Sequence, residues 1–379
     1  MNQELEDIRG EIDAIDKQLL ALFLQRMTVA EKIAQIKIRD GLPLYNGGRE
    51  EIIINRICEE TLPDISGYAV SFFRNLIELS KSRQREIFST PEQKTPLLSQ
   101  LSAAAAPIAH PRVLVQGVRG ANSSQAAMRI YPDCEISYVR QWEEVLYGVE
   151  AGMVDYGVLP VENSSAGSIS EVFDIMLHHR LSIVRALPLA IDHCLLGVRG
   201  AKLADVREVF SNSYVYPQCK EFFAKHYRIQ KSPYLNTAMA AQYVALEGDK
   251  TKAAVASREN AHLYGLDILE QSIQDGVANC TRFISVACRP EITESANKIS
   301  VVFALPHVTG SLCRTLSRFA NAGLNLTKIE SYPKPGRNFE YYFYVDFTGS
   351  VRSDTTRGLL AALSEELPDF YFFGNYYEA

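Results

Sequence analysis

Residues 5–38 read LEDIRGEIDAIDKQLLALFLQRMTVAEKIAQIKI, and this stretch decides the first part of the fold. Apolar residues recur in it at intervals of three and four positions, which predicts one long helix with an apolar seam. The seam consists of Leu5, Ile8, Ile12, Ile15, Leu19, Leu22, Val29, Ile33 and Ile36. Arg26 occupies one position within it. Because burying an unpaired guanidinium is costly, we expect Arg26 to meet an anion or a carboxylate.

Further polar residues interrupt the other helical stretches between residues 2 and 88. Lys37 follows Arg26 by eleven positions, which places it on nearly the same helix face about 16 Å farther along. Ser80 and Gln84 interrupt the seam of the last helix, and Arg49-Glu50 precedes a third helical run at residues 52–60. These seams predict a pocket that suits a small polyanion.

Residues 1–90 resemble the all-α chorismate mutase family. The matching positions are Arg9, Arg26, Lys37, Arg49, Glu50, Ser80 and Gln84, and Asn46 stands at a substrate-binding position where the family usually has aspartate. The resemblance implies a Claisen rearrangement of chorismate to prephenate without a covalent step. Such an enzyme holds a dianion in a folded conformer and stabilises charge on the ether oxygen.

The resemblance also implies a role for each of these side chains. Lys37 and Gln84 would donate to the ether oxygen, Arg26 and Arg9 would hold the carboxylates, and Glu50 would bind the ring hydroxyl. Arg9 and Arg26 are seventeen residues apart on one helix, about 25 Å along its axis, and cannot touch the same small ligand. Arg9 is therefore either a surface charge or a residue of a second subunit's site, and in the family it is the latter. We expect a helix-swapped homodimer, with a tetramer as an open alternative.

The amino-acid composition changes at about residue 91. Residues 91–111 are rich in Pro, Ser and Ala, which predicts a linker. Short apolar strands then alternate with helical stretches, which is typical of an α/β sheet. The clearest strand candidates are residues 113–116, 156–160, 181–189, 253–257 and 283–287.

Three polar segments of this α/β region are candidates for binding a ligand. Residues 155–167 form an apolar strand that ends in Pro160-Val161-Glu162-Asn163-Ser164, and residues 281–283 read Thr-Arg-Phe. Asn236 and Thr237 open a helix whose free N–H groups can receive an anion. In open α/β sheets, ligands bind at the carboxyl ends of the strands.

Together with Ile191-Asp192-His193-Cys194-Leu195-Leu196, these segments resemble prephenate dehydratase over residues 112–290. The implied fold has two lobes like a periplasmic binding protein. The implied reaction couples loss of CO2 to loss of the ring hydroxyl and yields phenylpyruvate. By resemblance Thr281 is the general acid that this departure requires. The other implied catalytic residues are Asn163, Ser211, Gln218, Arg282 and Phe283, and the substrate-binding residues are Glu162, Ser164 and Thr237.

The C-terminal region, residues 297–379, has the predicted element order βαββαβ, that of a ferredoxin-like split βαβ. It resembles an α+β ACT domain, which implies phenylalanine as an inhibitory effector bound between paired domains. The implied effector-binding residues are Gly310, Ser311, Leu312, Asn325, Leu326, Glu330 and Ser331. Tyr332 stands where the family usually has arginine.

Composition excludes several classes of function. The net charge is only −6 and the basic residues are scattered, so we expect no nucleic-acid partner. No apolar run is long enough to span a membrane, and the acidic start at residues 1–7 lacks the features of a signal peptide. Seven cysteines without a C-x-x-C pair indicate reduced thiols and a cytoplasmic location. We also expect no metal site and, without a G-x-G-x-x-G after a strand, no nicotinamide cofactor.

Three readings follow from these patterns. The first is a bifunctional mutase and dehydratase of phenylalanine biosynthesis that phenylalanine inhibits. The second is a dehydratase whose helical region serves only to dimerise, for which Asn46 is the best argument. The third is a non-catalytic sensor of aromatic metabolites, against which the intact Thr281-Arg282-Phe283 segment speaks.

Overall fold

A computed structural model describes residues 3–42, 47–88, 96–102, 104–165, 167–179, 181–276 and 279–378. Asn46 and parts of the predicted linker lie outside these residues. The chain divides into two compact units. Unit 1 comprises residues 1–99, 305–325 and 351–370, and unit 2 comprises residues 100–304, 326–350 and 371–379.

The helices and strands follow the alternation that the sequence predicts. The helices are α1 (Gln3–Arg39), α2 (Gly47–Glu60), α3 (Ser66–Phe88), α4 (Pro96–Ser102), α5 (Asn122–Ile130), α6 (Trp142–Glu150), α7 (Ser170–His178), α8 (Lys220–Lys225), α9 (Thr237–Glu247), α10 (Arg258–Tyr264), α11 (Ser311–Asn321) and α12 (Asp354–Glu366). The strands are β1 (Arg112–Gln116), β2 (Glu135–Val139), β3 (Tyr156–Asn163), β4 (Gly167–Ser168), β5 (Ser182–Ala190), β6 (Cys194–Gly197), β7 (Glu208–Ser211), β8 (Gln230–Pro233), β9 (Lys252–Ala256), β10 (Asp267–Glu270), β11 (Cys280–Ala287), β12 (Lys298–Ala304), β13 (Leu326–Pro333), β14 (Tyr341–Thr348) and β15 (Tyr371–Glu378). The five strand candidates are confirmed, whereas helix α4 lies within the predicted linker.

Unit 1 is helical, and its first helix is continuous over 37 residues, as the seam predicts. Helix α3 packs against both α1 and α2. On α1, Ala30 and Ala34 are buried, whereas Leu5, Ile8, Ile12 and Ile15 are 46% to 55% exposed. The N-terminal half of α1 therefore presents an apolar stripe that this single chain leaves uncovered.

Helix α3 also contacts α12 within unit 1. Glu366 on α12 accepts hydrogen bonds from Arg85 at the end of α3, at 2.8 Å, and from Arg318 on α11, at 3.0 Å. Both guanidinium groups are buried, so each needs this carboxylate. Burial lowers the pKa of Arg318, and the charge of Arg85 lowers it further.

Unit 2 contains two mixed sheets, and the chain crosses from one to the other twice. A ten-stranded sheet has the order β13-β14-β12-β15-β5-β11-β3-β1-β2, with the short β4 paired to β3. A five-stranded sheet has the order β10-β6-β9-β7-β8. The second sheet comes from the chain between β5 and β11, and each sheet has its own buried core. This is the two-lobed α/β arrangement that the resemblance implies.

The order βαββαβ predicted for the C-terminal region is confirmed by β12, α11, β13, β14, α12 and β15. Its four strands continue the large sheet, because Tyr377 and Glu378 of β15 pair in parallel with Arg185 and Ala186 of β5. Close to this junction, a Cβ atom on Gly374 would lie 2.1 Å from the carbonyl oxygen of Ile183, so the two backbones approach as only glycine permits. The four strands thus belong to unit 2.

Among the described residues, no helix combines the length and the apolar character that crossing a membrane requires.

Candidate active sites

A cavity of about 420 Å³ in unit 2 collects most of the predicted dehydratase residues. Asn163, Gln218, Thr237, Thr281 and Phe283 all line it. They come from both lobes, because Gln218 and Thr237 belong to the chain between β5 and β11. The cavity therefore lies where the two sheets meet, as the resemblance implies.

Thr281 and Asn163 face each other across neighbouring strands. They are paired in the antiparallel register of β11 and β3. The amide Nδ2 of Asn163 donates to Thr281 Oγ1 at 2.9 Å and to Asn279 Oδ1 at 2.8 Å. Because Thr281 accepts this bond, its own hydroxyl hydrogen can be donated into the cavity.

A chain of hydrogen bonds extends from this pair to the second lobe. Asn279 Nδ2 donates to Gln218 Oε1 at 2.8 Å, and His193 Nε2 lies 3.1 Å from the same oxygen. Since that oxygen only accepts, the Nε2 atom of His193 carries the hydrogen. Burial lowers the pKa of His193, although Gln218 and Asp192 oppose this, so the ring is neutral at neutral pH. These hydrogen bonds orient the Gln218 amide and connect the two lobes at the cavity.

His193 and Asn279 line the cavity, but the sequence assigned no role to either. Each residue immediately precedes a strand, β6 and β11 respectively. Asn163 likewise stands at the end of β3. Their position as polar residues at strand ends was thus the sequence signal that could have identified them. Their hydrogen-bond partners, however, depend on how the two lobes meet.

Three helices begin at the cavity. Residues from the first turns of α5, α7 and α9 line it, among them Ser123, Ser170 and Thr237. Asn236 Oδ1 accepts from Met239 N at 2.8 Å, which confirms the predicted cap of α9. The described lining contains no lysine or arginine. The free N–H groups at the starts of α5 and α9 are therefore the groups that can receive an anion, whereas Glu171 in the first turn of α7 is acidic.

The turn that leads into α5 depends on glycine. Gly120 has φ of +88°, and a Cβ atom there would lie 2.4 Å from Asn260 Oδ1. Its carbonyl oxygen accepts hydrogen bonds from Asn260 Nδ2 at 3.1 Å and from Gln125 Nε2 at 3.2 Å. The segment from Gly117 to Gly120 is thus a turn that positions α5.

Four predicted dehydratase residues are absent from the described cavity lining. Ser211 is buried and donates to the Val255 carbonyl at 2.9 Å, and Ser164 Oγ accepts from Cys280 N at 2.9 Å. Arg282 pairs with Glu162 at 3.1 Å, with Asp346 at 3.4 Å and with Glu378 at 2.8 Å. Burial alone lowers the pKa of Arg282, but these carboxylates outweigh it and raise the pKa. Arg282 is thus already neutralised by protein groups.

In unit 1 the helices bring Arg26 to Ser80. Arg26 Nη1 donates to the Leu76 carbonyl at 2.9 Å and to Ser80 Oγ, which itself donates to Leu76 O at 2.9 Å. Burial lowers the pKa of Arg26. Its recorded partners are neutral oxygens, so its positive charge is available to a ligand.

The other predicted mutase residues are distributed along α1, α2 and α3. Burial lowers the pKa of Lys37 while the charge of Glu50 opposes this, which puts the two groups within electrostatic reach. Glu50 pairs with Lys81 at 3.1 Å. Gln84 is buried, and its Oε1 has no hydrogen-bond partner among the described residues. Arg49 is exposed at the start of α2.

Arg9 lies on α1, seventeen residues before Arg26. It is exposed and pairs with Glu6 at 2.8 Å. Between α1 and α3 a cleft of about 470 Å³ is lined mainly by apolar side chains, including Leu19, Phe23 and Phe72, with Arg26 at its margin. Among the described residues, the cleft and the apolar stripe at the start of α1 thus form one long apolar surface.

The predicted effector residues fall on two elements. Gly310, with φ of +79°, caps α11, whose first residues are Ser311 and Leu312. Asn325 immediately precedes β13, which carries Leu326, Glu330 and Ser331. Glu330 accepts a hydrogen bond from Ser168, which lines the cavity of unit 2. Among the described residues, no group of His, Cys, Asp and Glu is arranged to hold a metal ion.

Comparison with known proteins places this geometry in a family. Residues 113–291 match prephenate dehydratase, and residues 8–85 match chorismate mutase type II. Arogenate dehydratase 2 of Petunia hybrida is 40% identical over 281 residues, which cover 70% of this chain and 71% of that protein. The chain belongs to the prephenate dehydratase family. In this chain a chorismate mutase domain precedes the dehydratase domain. The prediction of a bifunctional chorismate mutase/prephenate dehydratase of phenylalanine biosynthesis is therefore confirmed.

Two solved structures share the fold of this dehydratase. Prephenate dehydratase in complex with L-Phe from Arthrobacter aurescens has a TM-score of 0.64 and 28% sequence identity, covering 70% of this chain and 90% of that one. A protein described as GqqA, a novel type of quorum quenching acylase, has a TM-score of 0.64 and 28% identity over 71% of this chain and 98% of its own. The two-lobed dehydratase fold is thus shared by proteins that are described with different activities.

Proposed function

We propose that the cavity between the two lobes is the dehydratase site and that Thr281 is its general acid. As the C–C bond to the departing carboxylate breaks, its electron pair moves through the ring and expels the hydroxyl group. The Thr281 hydroxyl gives its proton to that group, so water and CO2 leave and the ring becomes aromatic. The observation that carries this proposal is the Asn163–Thr281 hydrogen bond, which orients the hydroxyl at the cavity wall.

The charge distribution of the cavity suits this reaction. A strong cationic clamp on the departing carboxylate would stabilise the ground state more than the transition state. Helix N-termini can hold the side-chain carboxylate of the substrate, and Phe283 offers an apolar wall to the carboxylate that leaves. Asn163 and Gln218 would orient the substrate, with Thr237 at the start of α9. Since Arg282 and Glu162 pair with each other, we propose that they support the strand rather than bind the substrate.

For the mutase we propose that Arg26, Lys37, Arg49, Glu50, Ser80 and Gln84 surround chorismate. Arg26 has neutral partners, so its charge can hold a substrate carboxylate. Lys37 would stabilise the charge on the ether oxygen as the bond breaks.

We further propose that two chains exchange the N-terminal halves of α1. The exposed stripe from Leu5 to Ile15 would pack into the partner's apolar cleft and bring Arg9 to the partner's mutase site. The support is the length of α1 and the uncovered apolar surface, which a soluble monomer rarely leaves exposed.

Mixing two inactive variants tests this exchange. We expect Arg9→Ala and Arg26→Ala each to lose most mutase activity. When the chains are unfolded together and refolded, half of them form mixed dimers with one intact composite site, so about a quarter of wild-type activity returns. Refolding each variant separately and then pooling them is the control. A mixture no more active than the pooled controls would exclude sharing of the site.

We propose that the C-terminal strands and helices form an ACT domain. Phenylalanine binds to this domain and thereby inhibits the enzyme. The predicted βαββαβ order and the effector residues on α11 and β13 support this, as does the similar Arthrobacter aurescens dehydratase described in complex with L-Phe. Since all seven cysteines are free thiols, we also propose a reducing compartment such as the cytoplasm.

One assay tests the function as a whole. We expect chorismate and prephenate each to yield phenylpyruvate, with no added cofactor, and phenylalanine to reduce the yield from prephenate. Phenylpyruvate from prephenate but not from chorismate would favour the reading in which the helical unit only dimerises. Absence of product from both would refute the proposed cavity.

Arogenate is a second candidate substrate because a relative that is 40% identical is named an arogenate dehydratase. The same bond changes would turn arogenate into phenylalanine directly. Parallel measurement of kcat/KM for prephenate and for arogenate decides which substrate the cavity prefers.

A further inference from the structure

A cluster of charged side chains lies on strands that border the dehydratase cavity and continues onto the C-terminal strands of unit 2. We call it the strand cluster; it consists of Glu162, Ser168, Arg282, Lys328, Glu330, Asp346 and Glu378. Lys328 Nζ donates to Ser168 Oγ at 2.6 Å and lies 3.3 Å from carboxylate oxygens of both Glu162 and Glu330. Lys328 therefore connects β13 with β3 and β4.

This cluster lies directly behind the proposed catalytic pair. Glu162 precedes Asn163 on β3, and Arg282 follows Thr281 on β11. The two pairs are also partners in the strand register, Glu162 with Arg282 and Asn163 with Thr281. Because successive side chains of a strand point to opposite faces, the strand cluster and the catalytic pair occupy opposite sides of the same two strands. Ser168 reaches both, since it lines the cavity.

The Lys328 ammonium is held in a nearly dry environment. Its side chain is 9% exposed, and its Nζ lies 5.3 Å from the ring centre of Phe173 and 5.9 Å from that of Tyr344. A buried cation must keep its carboxylate and hydroxyl partners. Burial alone would raise the pKa of Glu330, but the bond from Ser168 and the charge of Lys328 help to lower it, so Glu330 stays ionised. Any displacement of β13 must therefore move Ser168 and Glu162 or break these contacts.

We propose that Lys328 transmits phenylalanine binding from the C-terminal strands to the dehydratase cavity. This inference rests on the proposed feedback inhibition. Lys328 lies on β13 between the predicted effector residues Leu326 and Glu330. An effector that shifts β13 pulls on Ser168 and Glu162, which displaces Asn163 and weakens its bond to Thr281. The two arrangements then differ in activity and in phenylalanine affinity, as linkage requires.

Lys328→Met tests the proposal, because it keeps the length and apolar stem of the side chain and removes its charge. We expect the turnover of prephenate without phenylalanine to stay within about threefold of wild type. The phenylalanine concentration for half inhibition should rise at least about tenfold, since allosteric coupling factors are typically about 5–150. Lys328→Arg keeps the charge and should restore most of the inhibition.

Lys334→Met is the matched control. Lys334 lies just beyond β13, its side chain is 10% exposed, and its recorded partners are Glu340 at 3.4 Å and the Tyr342 ring at 5.1 Å. Its side chain is about as buried as that of Lys328, and Glu340 and Tyr342 both belong to the C-terminal segment. We expect wild-type inhibition in this variant.

The outcomes separate the two proposals. If phenylalanine neither binds wild type in a calorimetric titration nor inhibits it, the proposed feedback is wrong. If wild type is inhibited and Lys328→Met is inhibited equally, the role of Lys328 is wrong. A properly folded Lys328→Met without basal activity would also overturn it, because Lys328 would then belong to the dehydration site. Should Lys328→Met not fold, Ser168→Ala removes the contact from the cavity side, and unchanged sensitivity there refutes the proposal.

Discussion

Thr281→Val should lower the kcat of the dehydratase by about 10²–10⁴-fold, the usual contribution of a positioned general acid. Valine has the shape of threonine but cannot donate a proton. The fold should tolerate the change, because Asn163 Nδ2 keeps hydrogen bonds to Asn279 Oδ1 at 2.8 Å and to the Cys280 carbonyl at 3.3 Å. The measurement is phenylpyruvate formation from prephenate by the full-length chain.

Two controls make this result specific. Thr281→Ser retains the hydroxyl group and should stay within about tenfold of wild type, since it keeps the general acid. The mutase provides an internal reference, because Thr281→Val should still consume chorismate and accumulate prephenate. Near-normal turnover of prephenate by Thr281→Val would show that another group protonates the departing hydroxyl.

Arg26→Met should lower the kcat/KM of the mutase by about 10²-fold, because Arg26 is expected to hold a substrate carboxylate and a mispositioned substrate costs about that factor. Arg26 is the cation of the α1 seam that comes together with Ser80, and its recorded partners are neutral. The folding cost should be small because Ser80 retains its own bond to Leu76 O at 2.9 Å. The rate of chorismate consumption is the measurement.

The matched control for this prediction is Arg39→Met. Arg39 ends the same helix, is exposed, and pairs with Asp40 at 2.7 Å. Its loss should leave both activities unchanged, and Arg26→Met should leave dehydratase activity unchanged as well. A parallel fall of both activities in Arg26→Met would indicate unfolding, and full mutase activity would remove Arg26 from the site.

The sequence predicted the helical unit well because its signals are local. The spacing of apolar residues fixes the face of α1, and an arginine within that spacing must lie close to the next helix. The same spacing on α3 marked Ser80 and Gln84 as polar interruptions, and the structure brings Ser80 to Arg26. What spacing could not show is that the stripe near Ile12 is uncovered in a single chain, since that depends on a partner.

The dehydratase site was predicted less completely because it combines two lobes. Thr281 and Asn163 stood out at strand ends, and strand alternation alone would have separated Arg282 from Thr281 and Phe283. The partnership of His193 with Gln218 depends on how the second sheet meets the first, which no local pattern encodes. The pairing of β15 with β5 is similarly non-local, since Arg185 and Tyr377 are far apart in the sequence.

The pairing of β15 with β5 has a consequence for any attempt to remove the C-terminal strands from the dehydratase strands. A chain ending near residue 297 would remove the pairing of Tyr377 and Glu378 with Arg185 and Ala186 and would expose that edge of β5. We expect such a truncated chain to aggregate through the exposed edge of β5 rather than to remain active without inhibition. To relieve the proposed inhibition by phenylalanine, point substitutions should therefore serve better than removal of the C-terminal strands.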